Sequence, residues 1–297
     1  MNWNEMLRGY AIRLDERMAK HTSFQVGGPA DCLFTARSAD EIAFAMEAAR
    51  QSNVPLTVIG RGTNLLVRDG GIRGLVVKIA GGMEGVSVSG DAVTAQAGAP
   101  LRRMAAAALE AGLSGAEFAA GIPGGVGGAV AMNAGAYGGE MARITKSVVA
   151  LTQEGEVLTL SRDELDFAYR HSALMERNLT VVEACFTLYP DDPAAIRARM
   201  DDFAARRSEK QPLDLPSAGS TFKRPPGHFA AKLIDDAGLR GVSVGGAMVS
   251  PKHAGFVVNT GGATARDILD LMEKIRGTVW EKFGISLEAE VRVLGED

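Results

Sequence analysis

A chain of 297 residues outgrows a single hydrophobic core, so two or three packed lobes are expected. Its 32 Lys+Arg against 36 Asp+Glu leave a formal charge of -4, which excludes a field strong enough to gather nucleic acid or an anionic membrane. An anionic substrate would therefore need local basic residues. With 46% hydrophobic and 23% charged residues the chain lies outside the disordered regime. The N-terminus MNWNEMLRGYAIRLDERMAKH lacks the continuous apolar stretch of a signal peptide, and no later segment offers about 18 uncharged apolar residues, so a cytoplasmic location is expected.

In chain order, Ser38 with Glu41 forms a capping-box pattern that opens a helix through about Ser52, and the β-rich run PLTVIG (55–60) follows. LVVKI (75–79), VSVSG (86–90) and AVTAQAG (92–98) read as strands, the last two joined by a tight turn at Gly90 and Asp91. A helix from Leu101 to about Ala111 ends at Gly112. VVALT, VLTL and VVEACFTLY add strands up to Tyr189, and a second capping-box pattern, Ser161 with Glu164, separates the last two. Asp191, Asp192 and Pro193 mark a boundary, because Asp can cap and Pro suits a first turn; Ile196, Met200 and Phe203 then recur at helical spacing. A helix from Thr264 carries Ile268, Leu271, Met272, Ile275 and Val279 on one face, and LEAEVRVL (287–294) closes the chain as an alternating strand. Cys32 and Cys185 form no C-x-x-C pair and read as thiols buried on strands. The four histidines, without a close carboxylate cluster, make no metal constellation.

Residues 121–140, GIPGGVGGAVAMNAGAYGGE, hold 8 of the 36 glycines. Unhindered N–H groups there can cradle a pyrophosphate, with Asn133 and Tyr137 as polar handles; a tightly packed turn without ligand is the alternative. GRGTNLLV (60–67) follows the strand PLTVI directly and can offer amides, the Thr63 hydroxyl and the Asn64 amide to a phosphate-bearing ligand. Neither loop completes a P-loop or a G-x-G-x-x-G motif. Two such loops imply one extended cofactor.

GRGTNLLV, GIPGGVGGAVAMNAGAYGGE, FAYRHS (167–172), GSTFKRP (219–225), KLIDDAGLRG (232–241), KHAGFVVN (252–259) and LEAEVRVLG (287–295) resemble, in this order, the signature segments of UDP-N-acetylenolpyruvoylglucosamine reductases. The resemblance runs from about His21 to the end. It implies an α+β fold with a vanillyl-alcohol-oxidase-type (PCMH-like) FAD-binding domain of two subdomains and a C-terminal α+β substrate-binding domain. The boundaries expected here are an N-terminal segment 1–20, a flavin domain 21–190 divided near 80, and a substrate domain 191–297. The implied activity is NADPH-dependent reduction of UDP-N-acetylglucosamine enolpyruvate to UDP-N-acetylmuramate through FAD, in peptidoglycan precursor synthesis. Gly60, Arg61, Gly62, Thr63, Asn64 and Leu65 would hold FAD together with Gly121, Ile122, Pro123, Gly124, Gly125, Gly127, Gly128, Asn133, Gly135 and Ala136. The FAD is expected to be noncovalent, since the first loop carries Arg61, Thr63 and Asn64 where some relatives of the flavin fold carry a histidine bonded to the ring. The short stretch after Arg170 resembles the family's second type, which lacks an extra substrate-covering loop. No metal, nucleic acid, membrane insertion or obligate protein partner is implied.

Reducing an enolpyruvyl ether needs hydride at one carbon and a proton at its neighbour, with negative charge building toward the carboxylate between the two events. Ser220 resembles the family's proton donor, a weak acid that Lys210, Lys223 or a water would have to assist. Arg170 and Glu290 resemble the other two active-site members, Arg170 gripping the carboxylate and Glu290 completing the clamp. Taken singly, each has a plainer reading: a turn serine bonding its own backbone, a surface ion pair, an outward charge on a strand. Lys210, Lys223 and Lys232 are the substrate-binding candidates; Lys232 and His253 could meet substrate phosphate or carboxylate, or equally stabilise the surface. Arg224 replaces the asparagine of the GS-x-F-K-N-P form seen in some members, which removes any amide contact there. The competing readings are an alcohol oxidase of the same flavin fold and a binding module that has lost its chemistry.

Overall fold

The computed structural model describes residues 2–297. Local sequence accounts for most of its elements. Ser38 accepts the Glu41 amide at 3.1 Å and starts the helix Ala39–Gln51, while the Glu41 carboxylate reaches back to the amide of Arg37 at 2.7 Å. The strands Val86–Ser89 and Ala92–Gln96 form the expected hairpin, turning through Gly90 at φ +60°. At the second capping box the outcome differs. Glu164 accepts both the amide and the hydroxyl of Ser161, at 2.8 and 2.6 Å, yet only the single 3-10 turn Asp163–Leu165 follows. One buried residue, Leu165, is too little apolar surface to propagate a helix.

The chain divides into two compact units, neither continuous in sequence: residues 1–13, 32–61 and 74–207 in the first, 14–31, 62–73 and 208–297 in the second. The first unit contains a five-stranded antiparallel sheet in the order Val157–Ser161, Thr145–Leu151, Thr180–Thr187, Ala92–Gln96, Val86–Ser89. Alternation along these strands buries Val148, Ala150, Ala184, Phe186, Val93 and Ala95, which pack with Leu101 and Met104 of the helix Leu101–Glu110 and with Val126 and Val130 of the helix Val126–Ala131. The same core takes in Phe34, Ile42, Leu75 and Val77, where Leu56–Ile59 pairs in parallel with the strand Ile72–Lys78. This core takes in residues on both sides of residue 80. Cys32 is buried and Cys185 half-buried, both on strands.

The helix Pro193–Lys210 starts where expected, with the Asp192 carboxylate accepting the Ala194 amide at 3.0 Å, but its residues through Arg207 belong to the first unit. Arg199 explains this. Its guanidinium donates to Glu117 at 2.9 and 3.0 Å and to Ser114 at 3.0 Å, and it also pairs with Asp191. The unit therefore ends after that helix, at Arg207, where the proline signal had placed the boundary before it, at Asp191.

In the second unit the strands Ser243–Val244, Ala247–Val249 and Val257–Asn259 form a three-stranded sheet beside the helices Ala230–Asp236 and Ala265–Phe283. Thr264 and Asp267 close a full capping box on the last helix, whose Ile268, Leu271, Met272, Ile275 and Val279 are buried as the periodicity predicts. Segment 62–73 joins this unit because Leu65–Val67 pairs in parallel with Arg292–Leu294 and the Asp69 carboxylate accepts the Ala265 and Arg266 amides at 2.9 and 3.0 Å. Asn259 likewise holds the earlier segment, donating to the Phe24 carbonyl at 3.0 Å. No helix among the described residues is long and apolar enough to cross a membrane.

Candidate active site

The glycine-rich stretch of the first unit uses its glycines in two ways. Gly124, Gly125 and Gly127 lie against the segment 97–101: Val126 N–H donates to Ala99 O at 2.9 Å, Gly127 N–H to Ala97 O at 2.9 Å, and Leu101 N–H to Gly124 O at 3.1 Å. A Cβ on Gly127 would stand 2.8 Å from the Cβ of Ala97, so packing requires glycine there. At Gly60 and Gly128 a Cβ would meet nothing within 4 Å. There the missing side chain leaves backbone open to a ligand.

The first loop repeats this division. A Cβ on Gly62, at φ +66°, would fall 2.0 Å from the His21 carbonyl oxygen, while the Gly62 carbonyl accepts the Ser23 amide at 3.1 Å. Among the described residues the backbone amides of Arg61, Gly62 and Thr63 have no protein acceptor, although the loop is otherwise anchored. Arg61 pairs with Glu84 and donates to Gly98 O at 3.3 Å, and its buried Nε has no protein partner. Free amides, an open backbone and a fixed cation with a spare donor fit a phosphate-bearing cofactor such as FAD.

Asn133 does not have the freedom expected of a polar handle. Its buried side chain donates to Glu140 at 3.3 Å and to the Ala168 carbonyl at 3.1 Å, and accepts the Ala142 amide at 2.8 Å. Tyr137 stacks on Phe203, with centroids 4.7 Å apart and planes 7° from parallel. Gly135 pairs with Glu140 and Ala136 with Gly139 in a short hairpin. Arg170 occupies a tight turn in which Ala168 and His171 exchange both backbone hydrogen bonds, at 3.1 and 3.2 Å. Its φ of +56° is unusual for a non-glycine residue, as are the +42° of Asn133 and +51° of Tyr137. Its guanidinium lies 5.8 Å from the Tyr169 ring centroid.

Sequence reading missed Arg207. A Cβ on Gly121 would lie 3.4 Å from its Cδ and 3.9 Å from a guanidinium nitrogen. Burial lowers its pKa from the ordinary arginine value, opposed in part by Tyr137. It is thus a second cation beside the glycine-rich stretch, and only its helix position distinguishes it from Arg206, which pairs with Asp202 one turn earlier.

In the second unit Ser220 follows Gly219, whose φ of +76° favours glycine, and precedes a segment fixed at several points. Thr221 donates its amide to Gly255 O at 2.9 Å, accepts the Val257 amide on its hydroxyl at 3.0 Å, and accepts the Glu290 amide on its carbonyl at 2.9 Å. Glu290 is thereby tied to Thr221, the residue after Ser220, through one backbone hydrogen bond. The terminal strand is shorter than expected: Ala289 bridges Phe222, the chain bends at Val291, and Arg292–Leu294 then pairs with Leu65–Val67. Glu290 sits where the segment changes partner, and an alternation pattern cannot reveal such a switch. Asn64 spans it, donating to Glu290 O at 2.9 Å and accepting the Arg292 amide at 3.0 Å.

The lysines separate. Lys210 is exposed, Lys223 pairs with Glu288, and Lys232 is an exposed partner of Asp236 at 2.9 Å, a hydrogen bond that raises its pKa. That pairing is compatible with the surface alternative for Lys232. His253 is partly buried, which lowers its pKa; its Nδ1 accepts the Gly255 amide at 3.1 Å and its ring meets Phe256 edge-on at 4.9 Å. Arg224 lies 4.7 Å from the Phe229 ring centroid.

Residues 30–161, most of them in the glycine-lined unit, match the family model of an FAD-binding domain, and with the reductases described next this makes the protein a flavin-dependent oxidoreductase. Residues 211–294 match the C-terminal domain of UDP-N-acetylenolpyruvoylglucosamine reductase. A reductase of that name from Clostridium botulinum strain Hall is 49% identical over 297 residues, covering 100% of this chain and 97% of the relative. Another, from Pediococcus pentosaceus, is 50% identical over 282 residues, covering 95% and 94%. The crystal structure of the Thermus caldophilus reductase superposes with a TM-score of 0.82 at 36% identity, covering 96% of this chain and 99% of that one. The chain belongs to the UDP-N-acetylenolpyruvoylglucosamine reductase family.

Proposed function

We propose that the protein reduces UDP-N-acetylglucosamine enolpyruvate to UDP-N-acetylmuramate at the expense of NADPH, and that Ser220, Glu290 and Arg170 are its catalytic residues. Within the family established above, the observation that supports the residue assignment is the backbone hydrogen bond from the Glu290 amide to the carbonyl of Thr221, the residue that follows Ser220. Bound FAD supplies the relay of hydride from NADPH to the enolpyruvyl carbon. The Ser220 hydroxyl delivers the proton to the neighbouring carbon, so that the double bond gains one hydride and one proton. The Arg170 guanidinium pairs with the substrate carboxylate and stabilises the negative charge that builds there before the proton arrives. Glu290 orients these groups or, when protonated, donates to the same carboxylate.

FAD binding is assigned to the open backbone of Gly60, Arg61, Gly62 and Thr63 and to the stretch around Gly121 and Gly128, with Gly124, Gly125, Gly127 and Asn133 shaping that stretch. Lys210, Lys223 and Lys232 are the candidates for substrate binding, Lys232 with His253 for the substrate phosphate or carboxylate. A cytoplasmic site of action is part of this reading. Mass spectrometry of a reaction containing NADPH and the enolpyruvyl nucleotide tests it. The product should carry two more hydrogens than the substrate, in amounts equal to the NADPH consumed; NADPH consumption without that product would refute the reading.

A further inference from the structure

Of the residues that hold Arg170 in place, Ser172 has no function in the reading above and Asn133 has only that of shaping the glycine-rich stretch. The turn Ala168–His171 is fastened to the end of the glycine-rich stretch at two points. The Ser172 hydroxyl, on a residue with no solvent exposure, donates to the Ala131 carbonyl at 2.7 Å, and the Asn133 amide donates to the Ala168 carbonyl at 3.1 Å. Both acceptors are main-chain carbonyls, so each contact fixes a side chain of one segment to the backbone of the other. Asn133 is itself held by the Ala142 amide and by Glu140, and its left-handed φ of +42° aims the side chain across the loop. Arg170, at φ +56°, lies between the two fastened residues, in a conformation an arginine keeps only where its surroundings impose it.

We propose that Asn133 and Ser172 are positioning residues, a two-point clamp that sets the direction from which Arg170 meets the carboxylate of the substrate. The proposal rests on the assignment of Arg170 to that carboxylate. A guanidinium forms paired hydrogen bonds only in a narrow geometry, so a small rotation of its turn costs affinity for a carboxylate and leaves the rest of a nucleotide sugar unaffected. The clamp also ties Arg170 to the helix Val126–Ala131, whose amides at 126 and 127 bond to Ala99 and Ala97. The carboxylate grip and the glycine-rich stretch thus share one rigid support within the first unit.

A pair of ligands separates positioning from general loosening: UDP-N-acetylmuramate, which carries the carboxylate, and UDP-N-acetylglucosamine, which lacks it. Calorimetric titration of the FAD-loaded protein measures both affinities in Ser172→Ala, in Asn133→Gly, which tolerates the positive φ, and in Arg170→Gln. Either clamp variant should weaken binding of the carboxylate ligand by about 3- to 10-fold, the range of one neutral hydrogen bond, and leave the other ligand unchanged. Arg170→Gln should show a larger loss of the same selectivity. Equal weakening of both ligands, or no change in either, in both clamp variants would overturn the clamp while the Arg170 assignment survives. Unchanged selectivity in Arg170→Gln would overturn the Arg170 assignment and the clamp with it.

Discussion

At the scale of single residues, Ser220 is the most exposed to test. It is half-buried, follows a glycine in the left-handed region, and sits one residue from the Thr221 carbonyl that binds the Glu290 amide. Lys223 pairs with Glu288, and Lys210, Lys223 or a water is the candidate to assist the proton transfer. Ser220→Ala should keep the FAD spectrum and be reduced by NADPH at the wild-type rate, since no proton reaches a carbon in that half of the reaction. Reoxidation by the enolpyruvyl substrate should slow by about 10²–10⁴-fold, the range of a positioned general acid. Anaerobic stopped flow reads the two halves separately, and wild-type reoxidation would remove Ser220 from the mechanism. The candidate itself stands out in GSTFKRP; the bond from Glu290 to the residue after it was not legible, because it joins backbone atoms of residues far apart in the chain. Arg207 was equally hidden, since nothing in AARRSEK tells which arginine faces Gly121.

At the scale of elements, the network on the helix Pro193–Lys210 decides where the first unit ends. Burial alone would raise the pKa of Glu117, but hydrogen bonds from Ser114, from backbone amides including that of Gly115, and from Arg199 outweigh it and leave the carboxyl below its ordinary 4.5. A carboxyl lowered on folding stabilises the native state above its unfolded pKa, and that contribution disappears as pH falls through the folded value. Glu117→Gln should therefore cost about 1–2 kcal/mol at neutral pH, the size of a charged hydrogen bond discounted for the partial exposure of Arg199. The difference from wild type should shrink as pH drops below 4.5. Urea unfolding at pH 7 and near pH 3 measures both, and a penalty independent of pH would show that packing, not charge, pins the helix. The helix start was readable from Asp191, Asp192 and Pro193, because caps are local. Its allegiance was not, because Arg199 finds Glu117 across 82 positions of sequence. The same distance effect hid the change of partner at Glu290, where LEAEVRVL alternates like one strand and pairs as two short segments.

At the scale of the whole molecule, each unit is assembled from three stretches of chain, and the sequence divides into consecutive lobes only approximately. Segments 14–31 and 62–73 belong with the C-terminal residues through Asn259, Asp69 and Leu65–Val67, pairings that no local pattern announces. The α+β class, the long helices and the seven ordered signature segments were legible, since each depends on periodicity or on short motifs. The loop GRGTNLLV holds Arg61 in the first unit and Gly62 in the second, and no histidine is available in it for covalent attachment. Acid precipitation should therefore release FAD into the supernatant; yellow colour retained in the pellet would contradict a noncovalent cofactor. The most direct measurement is an anaerobic titration of the purified yellow protein. One equivalent of NADPH per FAD should bleach the flavin absorbance, and one equivalent of UDP-N-acetylglucosamine enolpyruvate should then restore it without oxygen. A flavin that stays bleached after the enolpyruvyl nucleotide is added, and recovers only when air is admitted, would contradict the account.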